Sequence, residues 1–154
     1  MERKYAEFAA TKACELLAID SPSGYTRKAA MWVKEAFEAL GFAAKITTKG
    51  GVLADLGGAD KDDALFLQAH TDTLGAMVAE IKANGRLKLT PLGGLRAENA
   101  ETENVRVHTR TGKIIEGTVQ LCNASVHVNG EYGEAKRLLK FLDNFIPIDP
   151  AEIP

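Results

Sequence analysis

The stretch ALFLQAHTDTL, residues 64–74, determines how the rest of the chain is interpreted. Its first four residues are apolar and follow the charged, turn-like residues 57–63, GGADKDD, a pattern typical of a strand that is covered on both faces. We predict an internal strand at residues 65–69 with the helices of the chain packed on it. Because open α/β sheets carry their chemistry at the carboxyl ends of strands, His70 and Asp72 become the candidate functional residues.

His70 and Asp72 are two positions apart, so their side chains point to the same side of an extended chain. At that spacing the carboxylate can hydrogen-bond the imidazole, directly or from close by. A carboxylate behind a histidine is the usual support of a metal ligand, because it fixes the imidazole tautomer and raises its basicity. The competing interpretation is a solvated strand end at which His70 caps a turn.

Composition narrows the class of protein. With 154 residues, 45% hydrophobic and 26% charged, the chain suits one globular domain or two small ones. Its net charge of −2, without basic clusters, disfavours a nucleic-acid partner. The charged N-terminus has no apolar signal region, and no apolar run is long enough to span a membrane, so we predict a cytoplasmic protein without a membrane partner.

The cysteines and the remaining histidines do not add to the site. Cys14 lies on a helical apolar pattern and Cys122 in an expected strand, which predicts buried free thiols and no disulfide, metal-binding or nucleophilic cysteine. His108 and His127 each lie in an expected strand, where a histidine is more often structural than a ligand.

Two helices and two strands are expected before residue 64. Apolar residues at helical spacing predict helices at 5–17 and 26–40, and Gly41 occupies the position of a left-handed C-terminal cap. The second helix is expected to bury Ala29, Ala30, Val33, Phe37 and Leu40. Strands are expected at 42–46 and 52–56, joined by a turn at Lys49-Gly50-Gly51.

The pattern changes near Thr73. Apolar residues on both sides of Asn84-Gly85 predict a hairpin, and a second pair of strands is expected at 105–109 and 114–121, joined by residues 110–113. Residues 97–104 are polar and read as an exposed loop, whereas 135–154 read as a short helix and a proline-containing tail. Short strands at close spacing predict a small barrel or sandwich in a second domain.

The successive motifs SPSG, TKGGVLADLGG, ALFLQAHTD, TLGAMVAEIKANGRLKLTPLGG and VRVHTRTGKIIEGTV occur in an order that resembles the dinuclear-metal aminopeptidases. That family includes the glutamyl, deblocking and tetrahedral aminopeptidases, and some of its members are labelled endoglucanases. The resemblance extends from the N-terminus to about Gly133.

The resemblance implies an α/β fold in which residues 1–73 form the N-terminal part of a three-layer phosphorylase/hydrolase-like catalytic domain. Residues 74–154 would be an inserted, β-barrel-like dimerisation domain, incomplete at its C-terminal end. His70 would be a metal ligand and Asp72 the catalytic carboxylate behind it. The complete family site holds two divalent ions, zinc or cobalt, and hydrolyses N-terminal peptide bonds with a water activated between the ions. Peptide substrates and a homo-oligomeric assembly follow from the same resemblance.

The chain departs from the family pattern after the inserted domain. It has no Glu-Glu pair to provide the general base, and His108 and His127 are its only histidines after Asp72. We therefore expect an N-terminal fragment, a truncated product or a frameshifted copy that is inactive by itself, and no substrate-binding residue can be assigned.

Two alternatives stay open at this point. One is a related two-metal deacylase or carboxypeptidase, and the other is a non-catalytic dimerisation module. The hairpin that begins directly after Asp72 favours the aminopeptidases, because in the carboxypeptidase-like relatives the inserted domain comes later in the chain.

Overall fold

The chain divides into two compact units, Met1–Leu74 and Gly75–Pro154. The structure, a computed structural model, describes residues 2–60, 62–121, 125–131, 133 and, for the backbone alone, 142–145. Its elements are α1 Arg3–Leu17, α2 Arg27–Ala39, β1 Ala43–Ile46, β2 Val52–Asp55, β3 Gly75–Ile81, β4 Leu87–Leu92, a 3₁₀ turn at Ala97–Asn99, β5 Asn104–His108, β6 Ile114–Leu121 and β7 Leu142–Phe145. The predicted mixture of helices and strands is confirmed.

In the first unit, helix α2 contacts α1 and both strands of the β1–β2 hairpin. Ala29 and Ala30 are buried as predicted, and their small side chains permit close approach of neighbouring backbone. The prediction that Leu40 is buried is wrong, because the helix ends at Ala39 and the Leu40 side chain is 57% exposed. Gly41 has a φ of 89°, which confirms the left-handed position predicted for it.

Helix α1 has no buried residue, and its apolar positions remain accessible. The prediction of a buried thiol at Cys14 is therefore wrong, since Cys14 is exposed on this helix. Ion pairs along the helix surface, such as Arg3 Nε to Glu7 Oε1 at 2.8 Å, are those expected of a solvated helical face. Cys122 lies outside the described residues.

The predicted internal strand at residues 65–69 is wrong. Residues 64–70 form neither helix nor strand, and the side chains of Leu65, Phe66 and Leu67 are 84%, 72% and 72% exposed. A strand is stable only when its backbone N–H and C=O groups pair with a neighbouring strand. In this unit the described strands β1 and β2 pair with each other, and no described strand pairs with residues 64–70. Neither helix therefore packs on a strand at these residues.

Three hairpins share one turn geometry, in which the chain closes over three residues and a glycine occupies the left-handed region. The N–H groups of Thr47, Lys82 and Thr109 donate to the carbonyls of Gly51, Arg86 and Lys113 at 2.7, 2.8 and 3.0 Å. The glycines are Gly50, Gly85 and Gly112, with φ of 86°, 77° and 83°. This is the three-residue hairpin loop with a bulge, and all three predicted hairpin turns are confirmed.

The second unit is a five-stranded antiparallel sheet in the order β3-β4-β7-β6-β5. Its buried cluster consists of side chains from β4, β6 and the 3₁₀ turn: Leu87, Leu89, Ala97, Ala100, Val119 and Leu121. Strands β3 and β5 are the edges in the described pairings, so a closed barrel is not formed by the described residues. Within the described part of the chain, no helix combines the length and apolar character needed to cross a membrane.

Three local predictions in this unit differ from the structure. Residues 97–104 are only partly an exposed loop, because Ala97 and Ala100 are buried and the 3₁₀ turn is closed by a 3.0 Å hydrogen bond from the Ala100 N–H to the Ala97 carbonyl, whereas most of the other residues are exposed. Residues 142–145 form β7 between β4 and β6, and the rest of the helix and tail predicted at 135–154 lies outside the described residues. His127 lies in a turn that begins at Ser125, not in a strand. In each case a tertiary contact or a local turn prevailed over the sequence pattern.

We predict that Gly112→Ala lowers the free energy of unfolding of the second unit by about 1–2 kcal/mol, because alanine must adopt a left-handed backbone there. A Cβ at Gly112 would meet no atom within 4 Å, so the cost comes from the backbone alone. Far-UV circular dichroism in urea measures the change.

The matched control is Gly94→Ala. A Cβ at Gly94 would also meet no atom within 4 Å, but the backbone of Gly94 is not in the left-handed region. It should leave stability unchanged or raise it slightly. Fluorescence of Trp32, the one tryptophan of the chain, reports the first unit and should be the same in both variants. Equal stability of the two variants would contradict the prediction.

Candidate functional site

His70 and Asp72 are brought into hydrogen-bonding contact, as the spacing predicts. His70 Nδ1 lies 3.1 Å from Asp72 Oδ1 and 3.2 Å from the Asp72 carbonyl oxygen. Both acceptors favour the tautomer with the proton on Nδ1, which leaves the lone pair of Nε2 available. The His70 side chain is 85% exposed and that of Asp72 is 44% exposed, so Nε2 is accessible to a ligand. Histidines that bind metals are commonly supported by a carboxylate in this way.

A buried serine holds the backbone on both sides of Asp72. Ser21 is 1% exposed, and its Oγ donates to the Thr71 carbonyl at 2.8 Å. The Ser21 carbonyl in turn accepts the Thr73 N–H at 3.0 Å, beside an isolated parallel bridge between Pro22 and Thr73. The contacts of Ser21 therefore hold the backbone immediately before and after Asp72, and they fix the position of the Asp72 Cα atom.

A second serine contacts the carboxylate itself. Ser23 Oγ donates to Asp72 Oδ2 at 3.0 Å, so the two carboxylate oxygens accept from different donors. The hydrogen bond from Ser23 is the largest cause that lowers the pKa of Asp72 below its ordinary value. Desolvation is the next largest cause and opposes it, and the hydrogen bond with His70 lowers the pKa by a smaller amount. The carboxylate is consequently held in its charged form, which accepts a hydrogen bond from the imidazole N–H.

The donor set fits one ligand of a metal site. His70 offers Nε2, and Asp72 is engaged as the supporting carboxylate. Among the described residues, no group of three or more His, Cys, Asp and Glu side chains is arranged to hold a metal ion. A site for two ions therefore needs ligands in addition to those that the described residues bring together.

Ser21 and Ser23 were missed as site residues in the sequence interpretation, which used the SPSG segment, residues 21–24, only as one of the motifs that carry the family resemblance. Their partners lie 50 and 49 positions away in the sequence, so no local pattern could have indicated the contacts. Two hydroxyl residues beside a turn glycine are the one signal that could have drawn attention to the segment.

Comparison with known proteins identifies the family. The sequence profile of the M42 glutamyl aminopeptidase family matches residues 50–150, so this chain belongs to that family. Over 123 residues, which is 80% of this chain, it is 40% identical to YhfE of Bacillus subtilis (strain 168), a protein provisionally named an aminopeptidase. The resemblance seen in the sequence is confirmed.

Solved structures show the same fold. An aminopeptidase from the archaeon Desulfurococcus kamchatkensis, APDkam598, superposes on 88% of this chain with a TM-score of 0.75 and 24% identity. PhTET1-12s, solved as a dodecamer in the asymmetric unit, superposes on 90% of this chain with a TM-score of 0.72 and 20% identity. The matched part spans 36% of YhfE, 36% of the Desulfurococcus chain and 39% of PhTET1-12s, so this chain corresponds to little more than a third of their length.

We predict that the Thr73 amide is protected from hydrogen exchange in the isolated chain, whereas the amides of residues 65–69 exchange rapidly. Thr73 donates to the Ser21 carbonyl, but the amides of 65–69 donate to no described backbone carbonyl. Ser21→Ala removes the bond to Thr71 and should lower the protection of Thr73 by about 5- to 10-fold, the size expected for one hydrogen bond.

Exchange is followed residue by residue by NMR. Ser125→Ala, at an exposed turn of the second unit, is the control and should leave Thr73 unchanged. Strong protection of residues 65–69 would show that this segment is paired in solution and would contradict the described arrangement.

Proposed function

We propose that this chain is the N-terminal part of a metal-dependent aminopeptidase that acts on N-terminal peptide bonds in the cytoplasm. The observation that supports this best is the contact between His70 and Asp72, at 3.1 Å, in a chain of the M42 glutamyl aminopeptidase family. No observation favours a deacylase, a carboxypeptidase or a non-catalytic module over this function.

His70 would bind one ion through Nε2, and Asp72 would hold the imidazole in the required tautomer and strengthen its basicity. Two divalent ions, zinc or cobalt, would supply an activated water for attack on the peptide carbonyl and would stabilise the negative charge that develops. The remaining ligands and the general base would come from a polypeptide as long as the relatives, of which this chain covers little more than a third.

The two units would have different functions in such a protein. Met1–Leu74, which contains His70 and Asp72, would contribute to a three-layer α/β catalytic domain. Gly75–Pro154, with its sheet and separate buried cluster, would be a dimerisation domain inserted after the metal-binding segment.

We predict that the 154 residues by themselves do not hydrolyse chromogenic amino-acid amides when zinc or cobalt is added. The reason is that, among the described residues, no group of three or more His, Cys, Asp and Glu side chains is arranged to hold a metal ion. Release of the chromophore is the measurement. Turnover that disappears in His70→Ala would show that the chain completes a site, and would contradict the prediction.

The aminopeptidase function is tested in a chimera in which the matched third of YhfE is replaced by the corresponding part of this chain. We expect the chimera to hydrolyse the amides that YhfE hydrolyses, and Asp72→Asn in it to lower activity by about 10- to 100-fold because the support of a ligand is lost. Asp55→Asn, which alters a carboxylate at the end of β2, is the control and should have little effect.

A folded chimera that binds added zinc or cobalt but hydrolyses no amide on which YhfE is active in the same assay would count against the proposed function. So would the absence of amide hydrolysis from both YhfE and the chimera over a panel of amino acids.

We further propose that the chain assembles into a homodimer or a larger homo-oligomer through the second unit. The edge strand β3 exposes Met77, Val78 and Ile81, and an exposed apolar edge favours pairing with another chain. The dodecamer formed by PhTET1-12s is consistent with this proposal.

We predict that size-exclusion chromatography with light scattering at micromolar concentration finds a dimer or larger species. A second sample that begins near Thr73 should associate in the same way. A monodisperse monomer of the 154 residues contradicts the prediction, and a monomeric β unit beside an associating full chain would assign the contact to the first unit.

A further inference from the structure

We propose that Ser23 is a positioning residue for the metal ligand: its hydroxyl orients the Asp72 carboxylate, which selects the His70 tautomer that leaves Nε2 free. The inference rests on the proposed function in one respect, namely that His70 binds a metal. Ser23 is linked to His70 through Asp72 by two hydrogen bonds: Ser23 Oγ to Asp72 Oδ2 at 3.0 Å and Asp72 Oδ1 to His70 Nδ1 at 3.1 Å.

The backbone of Asp72 is held in place by Ser21. Ser21 accepts from the Thr73 N–H and donates to the Thr71 carbonyl, so the chain is held on both sides of residue 72. What remains free is the rotation of the Asp72 side chain. Because a side-chain torsion has several staggered minima and the Asp72 side chain is 44% exposed, burial does not select one of them.

Ser23 occupies the second position of a turn in which the Tyr25 N–H donates to the Pro22 carbonyl at 2.8 Å, and the next residue, Gly24, has a φ of 88°. These are the features of a type II turn, whose third position requires the left-handed conformation of glycine. The turn and the adjacent Ser21 contacts therefore present the Ser23 hydroxyl from a fixed backbone.

Asp72 bridges two donors. One carboxylate oxygen accepts from the serine and the other from the imidazole, so rotation of the carboxylate breaks both contacts. The Ser23 hydrogen bond thus limits the rotation that would leave the Asp72 carbonyl oxygen, 3.2 Å from Nδ1, as the remaining acceptor for His70. Since Ser23 is exposed, its hydroxyl adds little to the stability of the fold, and orientation is the effect by which it acts.

The test measures the His70 tautomer in the ¹⁵N-labelled, metal-free 154-residue chain. Long-range ¹H–¹⁵N correlation distinguishes a protonated from an unprotonated ring nitrogen, and the same spectrum identifies the neutral ring, on which the tautomer is read. In the unchanged chain we expect His70 to carry its proton mainly on Nδ1. The exposed His127 provides an internal reference within the same spectrum.

Ser23→Ala should lower the ratio of the Nδ1–H to the Nε2–H form of His70 about fivefold, the effect of one net hydrogen bond. Ser23→Thr keeps the hydroxyl and should retain the original ratio. Ser125→Ala is the control for an exposed serine, and protection of the Thr73 amide reports that the Ser21 contacts are intact in each variant.

An unchanged ratio in Ser23→Ala, or a ratio in Ser23→Thr as low as that of Ser23→Ala, would overturn the inference. The measurement needs neither metal nor substrate. If the His70 tautomer ratio changes in Ser23→Ala but the chimera is inactive in the aminopeptidase assay, the proposed function is contradicted. If the chimera is active but the tautomer ratio does not change in Ser23→Ala, the inference alone is contradicted.

Discussion

Pairing of each strand with a neighbour is the constraint on which the described structure depends. Backbone N–H and C=O groups must find partners, and an isolated extended segment leaves them to water. Strands β1 and β2 pair with each other, and β3 to β7 pair in one sheet. The most apolar run of the chain, at residues 64–67, has no such neighbour and remains exposed. Apolar composition therefore did not suffice to make a strand.

The two units also differ in how much apolar surface they bury. The second unit buries Leu87, Leu89, Val119 and Leu121, and each fully buried aliphatic side chain contributes about 1.5–3 kcal/mol. In the first unit the buried residues are Ala29, Ala30 and Ser21, whose side chains remove much less apolar surface from water. Local opening consequently costs less in the unit that contains the candidate site than in the sheet that follows it.

The candidate site depends on polar contacts instead of an apolar pocket. Ser21 fixes the backbone around Asp72, Ser23 contacts one carboxylate oxygen, and His70 contacts the other. This arrangement explains how an exposed histidine can be held in one orientation. The chain belongs to the M42 glutamyl aminopeptidase family, and for the metal site proposed above such an orientation would reduce the ordering needed on binding.

The sequence by itself determined the features that need only neighbouring residues: both helices, the three glycine-containing hairpin turns, and the spacing that places His70 beside Asp72. It also identified the family, because several motifs occur in one order. The tertiary structure alone decided which apolar run was paired, that Ala97 and Ala100 enter the core, and that the Ser21 segment closes on residues 71–73. The physical reason is that turns and helices are selected by local torsions and short-range hydrogen bonds, whereas strand pairing, burial and the contact between Ser23 and Asp72 require partners that are distant in the chain.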